Sequence, residues 1–299
     1  MENISVVIVT FHTPKDIILN CLKSINRNIK ITIVENSENF ENKDLILSQF
    51  ENVKILCSGK NLGYGSGNNL GLSEVKTDYA LILNPDTICD EKLFDNISKT
   101  IIEANDFSVI GCQYLDEDKF MPAGFFDDKK NKEFIKKFKE NNIDDLTKVE
   151  WVTGQSMLIN LKKFKNTKIF DENFFLYFEE FDLCKSLILK GENIYTSKKL
   201  KIKHLGFNSS FEEGSIYKTS INRLKEWHWM WSTFYFYKKN YSYFHALKKV
   251  IGKFFKALLK IFFYSIMFNK KEKEKYKYRF LGIYSAILGH PSSFRDNLD

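Results

Sequence analysis

Residues 4–10 (ISVVIVT) are an unbroken apolar, β-branched run, the pattern of a strand buried on both faces. Pro14 follows at a first helical position, and the pattern predicts a helix to about Asn28. Residues 30–35 (KITIVE) predict a second strand, 41–50 a helical stretch, and 53–57 (VKILC) a third strand. The loop GKNLGYGSGNN then opens a helix to about Val75, and residues 78–83 (DYALIL) give a fourth strand that ends at Asn84-Pro85-Asp86-Thr87. Strands alternating with helices predict an α/β chain with a mostly parallel central sheet. Residues 115–148 are polar, with a lysine-rich patch at 129–139, and read as an insertion or mobile excursion. Strand character returns at 151–159 (WVTGQSMLI). Residues 171–190 then read as a loop leading into a helix, with Phe181, Cys184, Leu187 and Ile188 at helical spacing. From about Ser215 to Leu288 the pattern is helical, and there is no internal repeat.

Composition adds a packed core to this picture: 43% of the 299 residues are hydrophobic and 28% are charged, so disorder is not expected. The five cysteines are scattered without metal-ligand spacing, and the odd count argues against a disulfide framework. A reducing compartment, the cytosol, is therefore expected. The Met-Glu-Asn start lacks a signal peptide's basic and apolar regions, and no apolar run approaches the roughly 18 residues of a spanning helix.

Charge is unevenly placed. Residues 238–280 carry 13 Lys/Arg against two Glu, whereas the net charge of the whole chain is +7. Within this stretch Lys249, Lys253, Lys256 and Lys260 recur at spacings of three and four. Leu247, Ile251, Phe254, Phe255, Leu258, Ile261 and Phe262 fall mostly on the opposite face. This is a basic amphipathic helix, so residues 241–280 are expected to meet an anionic membrane surface. The same pattern also fits a helix that only covers the body with its lysines solvated.

Four groups of residues carry candidate chemistry. Asp86, after the fourth strand, stands where open α/β sheets bind ligands, and a carboxylate there suits Mg²⁺ or Mn²⁺ against a diphosphate. Alone, Asn-Pro-Asp-Thr is also an ordinary turn. The glycine loop 61–69 favours close backbone approach and phosphate at the following helix N-terminus. Its spacing is not that of a dinucleotide fingerprint, because Asn68 replaces the last glycine and the loop follows the third strand. Glu179, Glu180 and Asp182 cluster at a helix start among aromatics. Apolar surroundings raise a carboxyl pKa, which suits a base, although acidic first turns are common. His204 is a lone histidine that gains meaning only beside Asp86.

The order of VVIVTF, IVENS, NLGYGSGNN, NPDT, WVTGQSMLI, FFLYFEEFDLC and HLG along one chain resembles the family 2 glycosyltransferases, most closely their rhamnosyltransferase-like branch. NLGYGSGNN and FFLYFEEFDLC are the specific parts, and the resemblance spans about residues 4–290.

The resemblance implies a GT-A (nucleotide-diphospho-sugar transferase) fold over residues 1–212, with a helical, basic-aromatic, membrane-proximal region at 213–299. It implies an inverting, metal-dependent transfer from a nucleotide-diphosphate sugar, with rhamnose as the sugar suggested by the branch. The acceptor would be a hydroxyl of a growing, lipid-linked bacterial surface glycan at the cytoplasmic face of the inner membrane. Thr10, Glu35 and Asn36 would line the nucleoside pocket; Asn61, Gly63 and Asn68 would shape the loop around ribose and diphosphate. Asn84-Pro85-Asp86 takes the place of the family's DxD motif, with Asp86 and His204 on Mn²⁺ or Mg²⁺, and Asn84 standing for the first Asp. Gly154 and Gln155 would sit where donor and acceptor sugars meet. Glu180 takes the position of the family's base, normally an Asp, which leaves Glu179 and Asp182 open as alternatives. A homodimer is left open.

Two other classes fit less well. A sugar-nucleotide nucleotidyltransferase needs a glycine-rich basic loop directly after the first strand, where this chain has Phe11-His12-Thr13-Pro14. A nucleic-acid-binding protein would use the basic tail alone, and the mildly acidic body argues against it, so no nucleic-acid partner is expected.

Overall fold

In the computed structural model, residues 3–115, 121–166, 168–205, 210 and 217–296 are described. The N-terminal half runs β1 (Ile4–Thr10), α1 (Lys15–Ser24), β2 (Lys30–Glu35), α2 (Lys43–Gln49), β3 (Val53–Cys57), α3 (Tyr64–Ser73) and β4 (Tyr79–Leu83). It continues with β5 (Thr87–Cys89), α4 (Leu93–Ala104), β6 (Val109–Tyr114), β7 (Ala123–Gly124), α5 (Asp128–Lys139), β8 (Leu146–Val149), β9 (Trp151–Val152) and β10 (Ser156–Asn160). The chain closes with α6 (Glu179–Leu189), β11 (Ile194–His204), α7 (Lys218–Asn240), α8 (Tyr243–Ile266) and α9 (Lys270–Ile287).

The main sheet of the described residues has nine strands, in the order β3-β2-β1-β4-β10-β6-β11-β5, with β8 also pairing β11. β3, β2, β1 and β4 are mutually parallel, as are β6 and β11. β10 enters antiparallel between β4 and β6. β1 is the centre because its residues feed both faces. Val6 and Ile8 pack with Ile18, Leu22 and Ile33 on one side, and Val7 packs with Leu72, Ile82 and Met157 on the other. Burial of each such side chain stabilises by about 1.5–3 kcal/mol.

α3 lies tightly against this centre because its glycines leave no side chain in the way. A Cβ on Gly71 would strike Val7, and one on Gly67 would strike Val9 and Asn36. The glycines thus serve helix-to-sheet packing as well as loop geometry. Gly63 is different: it has φ +82°, and a Cβ there would overlap the Phe175 carbonyl.

Where it is described, the polar excursion at 115–148 carries regular elements, while residues 116–120 lie outside the described set. The lysine-rich patch is helix α5, capped by the Asp127 side chain, which accepts from Lys130 N, and anchored by buried Phe134. β8 is part of the main sheet through β11.

The helical C-terminal pattern divides into three. Ser242 caps α8 by accepting from His245 N at 3.1 Å, and Asn269 caps α9 by accepting from Glu272 N at 3.1 Å. The three helices share a core of Trp227, Trp231, Phe234, Val250 and Ile283. They join the body through Ile221 and Leu224, which pack on Phe175.

α8 packs inward through Ala246, Val250 and Ala257 and carries Phe255, Leu258, Leu259, Phe262 and Ile266 exposed on its outer face. Phe268, just past its end, is 90% exposed. None of the described helices is long and apolar enough to cross a membrane.

Candidate functional site

Parallel pairing brings the carboxyl ends of β1, β2 and β4 to one edge of the sheet, and a cleft of about 270 Å³ opens there. Of the residues singled out in the sequence, Thr10, Asn36, Asn61, Gly63, Asn84, Asp86, Gln155 and His204 line it. Asn36 Nδ2 donates to the Gly63 carbonyl at 2.8 Å, and Asn61 Oδ1 accepts from Gly63 N at 3.1 Å. The glycine loop is therefore fastened to the end of β2.

Two of the named residues lie beneath the cleft. Glu35 is fully buried and accepts from the Thr10 hydroxyl (2.6 Å), His12 N (3.1 Å) and the Ser37 hydroxyl (2.8 Å). It shapes the β1 end and is not among the lining residues. Asn68 is likewise fully buried inside α3, with Nδ2 on the Tyr64 carbonyl at 3.0 Å, so it bears on the loop from within.

Asp86 and His204, 118 positions apart, meet through strand register. β11 runs antiparallel to β5 with His204 opposite Thr87, and Leu205 N donates to the Asp86 carbonyl at 2.9 Å. The His204 Nε2 atom then stands 3.4 Å from Asp86 Oδ1. The Asp86 side chain is almost fully buried, and its Oδ1 accepts no hydrogen bond. A buried carboxylate oxygen without a donor costs free energy unless a cation or ligand completes it. The turn around Asp86 is real as well: Thr87 N and its hydroxyl both donate to the Asn84 carbonyl.

The acidic cluster separates into three environments. Asp182 accepts from Lys239 Nζ at 2.6 Å and Asn240 Nδ2 at 2.9 Å, tying α6 to α7. It lies two residues beyond Glu180, roughly 200° around the helix. Its carboxylate is therefore engaged by α7 on another face of the helix. Glu179 is fully buried against Gly65, with Oε1 unbonded, and burial followed by the Glu180 charge pushes its carboxyl well up. Glu180 keeps partial exposure. Burial raises its pKa to about 7, while backbone N–H groups, that of Gly154 among them, hold it from rising further.

Glu180 lies behind the Gly154-Gln155 rim and not in the cleft wall itself. Tyr114 bridges the two acidic sites: its hydroxyl donates to Gln155 Oε1 at 2.6 Å, its ring meets His204 edge-on at 6.2 Å, and it feels the charges of both Glu180 and Asp86. Tyr64, which lines the cleft, donates its hydroxyl to the Gly154 carbonyl and feels both glutamates.

The backbone before the glutamates is strained. Tyr177 and Phe178 both have φ 72°, unusual for aromatic residues and costing about 1–3 kcal/mol each. Ring contacts of Phe178 with Trp229 (5.6 Å), Phe236 (5.3 Å) and Phe181 (5.7 Å) offset this at about 0.5–1.5 kcal/mol apiece. Trp229 and Phe236 belong to α7, so the C-terminal helices hold the glutamates in place. α7 also supplies Lys225 to the cleft, a cation with no hydrogen bond or ion pair to any described residue and within reach of the Asp86 charge. Sequence reading missed Lys225, Tyr64 and Tyr114. Tyr64 stood inside the noted glycine loop, whereas the other two carry no local signal.

Among the described residues no group of three or more His, Cys, Asp or Glu gathers as a metal site. Asp86 and His204 are a two-ligand set, and the unbonded Oδ1 fits a hard divalent cation. Such cations are commonly held by one or two side chains with substrate phosphate and water completing the shell.

A mixed sheet with a cleft at the parallel carboxyl ends, an Asp–His pair in it and a raised-pKa glutamate behind its rim is the arrangement expected of a glycosyltransferase of the GT-A fold. The chain belongs to glycosyl transferase family 2, whose model matches residues 5–181. It is 24% identical over 252 residues to the low-salt glycan biosynthesis hexosyltransferase Agl10 of Haloferax volcanii, covering 75% of this chain and 80% of that protein. It is 28% identical over 215 residues to the rhamnosyltransferase WbbL of Escherichia coli K12, covering 63% and 78%. The teichoic acid poly(glycerol phosphate) polymerase of Staphylococcus epidermidis is 25% identical over 222 residues, and only 30% of its length is covered. In fold, the chain is similar to the mannosyltransferase PcManGT of Pyrobaculum calidifontis in complex with GDP-Man and Mn²⁺. The TM-score is 0.55 at 9% identity, over 96% of this chain and 87% of that one.

Proposed function

We propose that this glycosyltransferase transfers a hexose or deoxyhexose, with rhamnose the first candidate, from a nucleotide-diphosphate donor to a lipid-linked glycan with inversion. The observation that carries this reading is the buried, unbonded Asp86 Oδ1 beside His204 in a cleft whose rim is fixed by Glu180. Thr10, Asn36 and Asn61 receive the nucleoside, Gly63 shapes the loop at the ribose, and Asn84 lies beside the diphosphate. Asp86 and His204 would hold Mn²⁺ or Mg²⁺, which when bound supplies Lewis-acid stabilisation of the departing diphosphate. Lys225 adds a fixed positive charge on the same wall. Gln155, oriented by Tyr114, borders the sugar, and Glu180 accepts the proton of the attacking hydroxyl. Burial, followed by the Glu180 charge, pushes the Glu179 carboxyl up, which favours its neutral form beside Glu180.

Support for the sugar class comes from the relatives, one a hexosyltransferase and one a rhamnosyltransferase. A panel of nucleotide sugars with Mn²⁺ or Mg²⁺, read by release of nucleoside diphosphate, tests it. Metal-stimulated turnover of at least one donor is expected, and turnover of none of them, or turnover indifferent to chelation, refutes the reading.

Residues 1–212 make the catalytic unit and 213–299 the membrane-proximal one in this proposal; their boundary lies outside the described residues. The exposed apolar face of α8, with Lys249, Lys253, Lys256 and Lys260 on the other side of the same helix, supports peripheral attachment to an anionic membrane from the cytoplasmic side. Full-length protein is expected to float with phosphatidylglycerol-rich vesicles, and F255S/F262S/I266S to float several-fold less. Equal flotation of both proteins removes α8 from this role.

A further inference from the structure

A second cleft, of about 810 Å³, lies between α7 and the first turns of α9. It shares Tyr177 and Lys225 with the donor cleft, so the two adjoin at those side chains. Tyr177 is two residues before Glu179, and the edge of its ring meets Trp229, which is 44% exposed and lines the second cleft. Aromatic faces of this kind stack on the apolar faces of sugar rings.

Five cations line the same cleft, and two of them are neutralised. Arg223 pairs with Glu274 and Arg279 with Glu226, each at 2.5 Å. Lys225 and Lys271 have no ion pair with a described residue, and Lys275 has only a 3.9 Å contact to Glu272 on its own helix. The remaining lysines give the cleft unspent positive charge next to its aromatic walls, the chemistry that recognises phosphate.

The third observation is what adjoins the lysines. Phe268 precedes Lys271 by three residues, a reach of about 10 Å at most. Ile266, Met267 and Phe268 are 59%, 61% and 90% exposed. Continuing outward from Tyr177, the molecule therefore presents aromatic rings, then lysines, then an exposed apolar end.

We propose that the α7–α9 cleft is the acceptor site and that its ligand is a saccharide carried on a lipid phosphate. The sugar lies along Tyr177 and Trp229 with its hydroxyl toward Glu180. The phosphate lies against Lys271 and Lys275, and the lipid leaves beside the end of α8 into the bilayer. This rests on the transferase reading of the neighbouring cleft, and it makes the C-terminal helices a substrate-binding element as well as a membrane contact.

The test uses the full chain and two probes, geranyl diphosphate and inorganic pyrophosphate, titrated calorimetrically without vesicles. Geranyl diphosphate is expected to bind at least tenfold more tightly than pyrophosphate, and K271E/K275E to weaken it at least tenfold. The thermal shift given by nucleoside diphosphates with Mn²⁺ should be the same in both proteins. Equal affinity of geranyl diphosphate for both proteins overturns the proposal, as does its failure to bind where nucleoside diphosphate binds. Pyrophosphate binding as tightly as the prenyl compound overturns the lipid source. If the unaltered chain gives no nucleoside-diphosphate response, the transferase reading fails instead.

Discussion

Glu180→Gln is expected to lower sugar transfer by about 10²–10⁴-fold, the contribution of a positioned general base, while leaving donor affinity within about twofold. Glutamine keeps the size of the side chain but cannot accept the proton. Because burial raises the Glu180 pKa to about 7, kcat/KM of the unaltered enzyme should climb with pH through that value. The base is needed ionised, so activity is lost on the acid side. Stability should move the opposite way. A carboxyl whose folded pKa lies above its unfolded one binds its proton more tightly when folded, so stability falls as pH rises from about 4.5 to about 7. Each pKa unit corresponds to about 1.4 kcal/mol, so the whole penalty is on the order of 3–4 kcal/mol above pH 7. Glu180→Gln removes that penalty, and at pH 8 its Tm should exceed that of the unaltered protein by about 5 °C. At pH 4 the two should coincide. Thermal melts at both pH values, set beside transfer rates, check this; full turnover by the Gln variant would take Glu180 out of the base role.

The parts of the fold readable from sequence are those fixed by local pattern. β1, β2 and β4 announce themselves as largely apolar runs that the sheet buries, and β3 as a shorter one that is only partly buried. β11 does not: IYTSKKLKIKH mixes lysines into the strand because it lies near the sheet's edge, where several of its side chains reach solvent. α5 is similarly hidden, since Phe134 is its one buried residue and the rest is lysine-rich. For the site, the residues facing the cleft were legible as motifs, but their partners were not. The Asp86–His204 pairing depends on a strand register that no local pattern encodes. Asp182 read as a candidate base because its neighbours are acidic and aromatic, and its ion pair with Lys239, 57 residues away on α7, had no local signal. Lys225 belongs to the same class: a lysine on an aromatic helix acquires meaning only when α7 is laid over the cleft. Glu35 and Asn68 show the converse, because a motif marks a residue that matters without saying whether it faces the ligand or holds the residue that does.

Asp86→Ala should abolish metal-stimulated donor turnover, by at least about 10³-fold, which is roughly 4 kcal/mol of transition-state stabilisation. The protein should nevertheless fold. Asp86 Oδ1 makes no hydrogen bond and the side chain is buried, so the carboxylate is a cost to the unliganded fold. Its removal should leave the Tm equal or higher in the absence of metal. With Mn²⁺ and nucleoside diphosphate added, the unaltered protein should gain several degrees and the variant little, because binding stabilises only the state that binds. His204→Ala should act in the same direction and more weakly, since it removes a neutral ligand and leaves the charge in place. Chelation of the unaltered enzyme should reproduce the Asp86→Ala rate and leave the variant's own rate unchanged. The combination of unimpaired folding, lost metal response and lost turnover separates a ligand from a structural residue. A variant that unfolds, or one that keeps turning over donor faster when Mn²⁺ is added, would place the metal elsewhere and remove the cleft's central assignment.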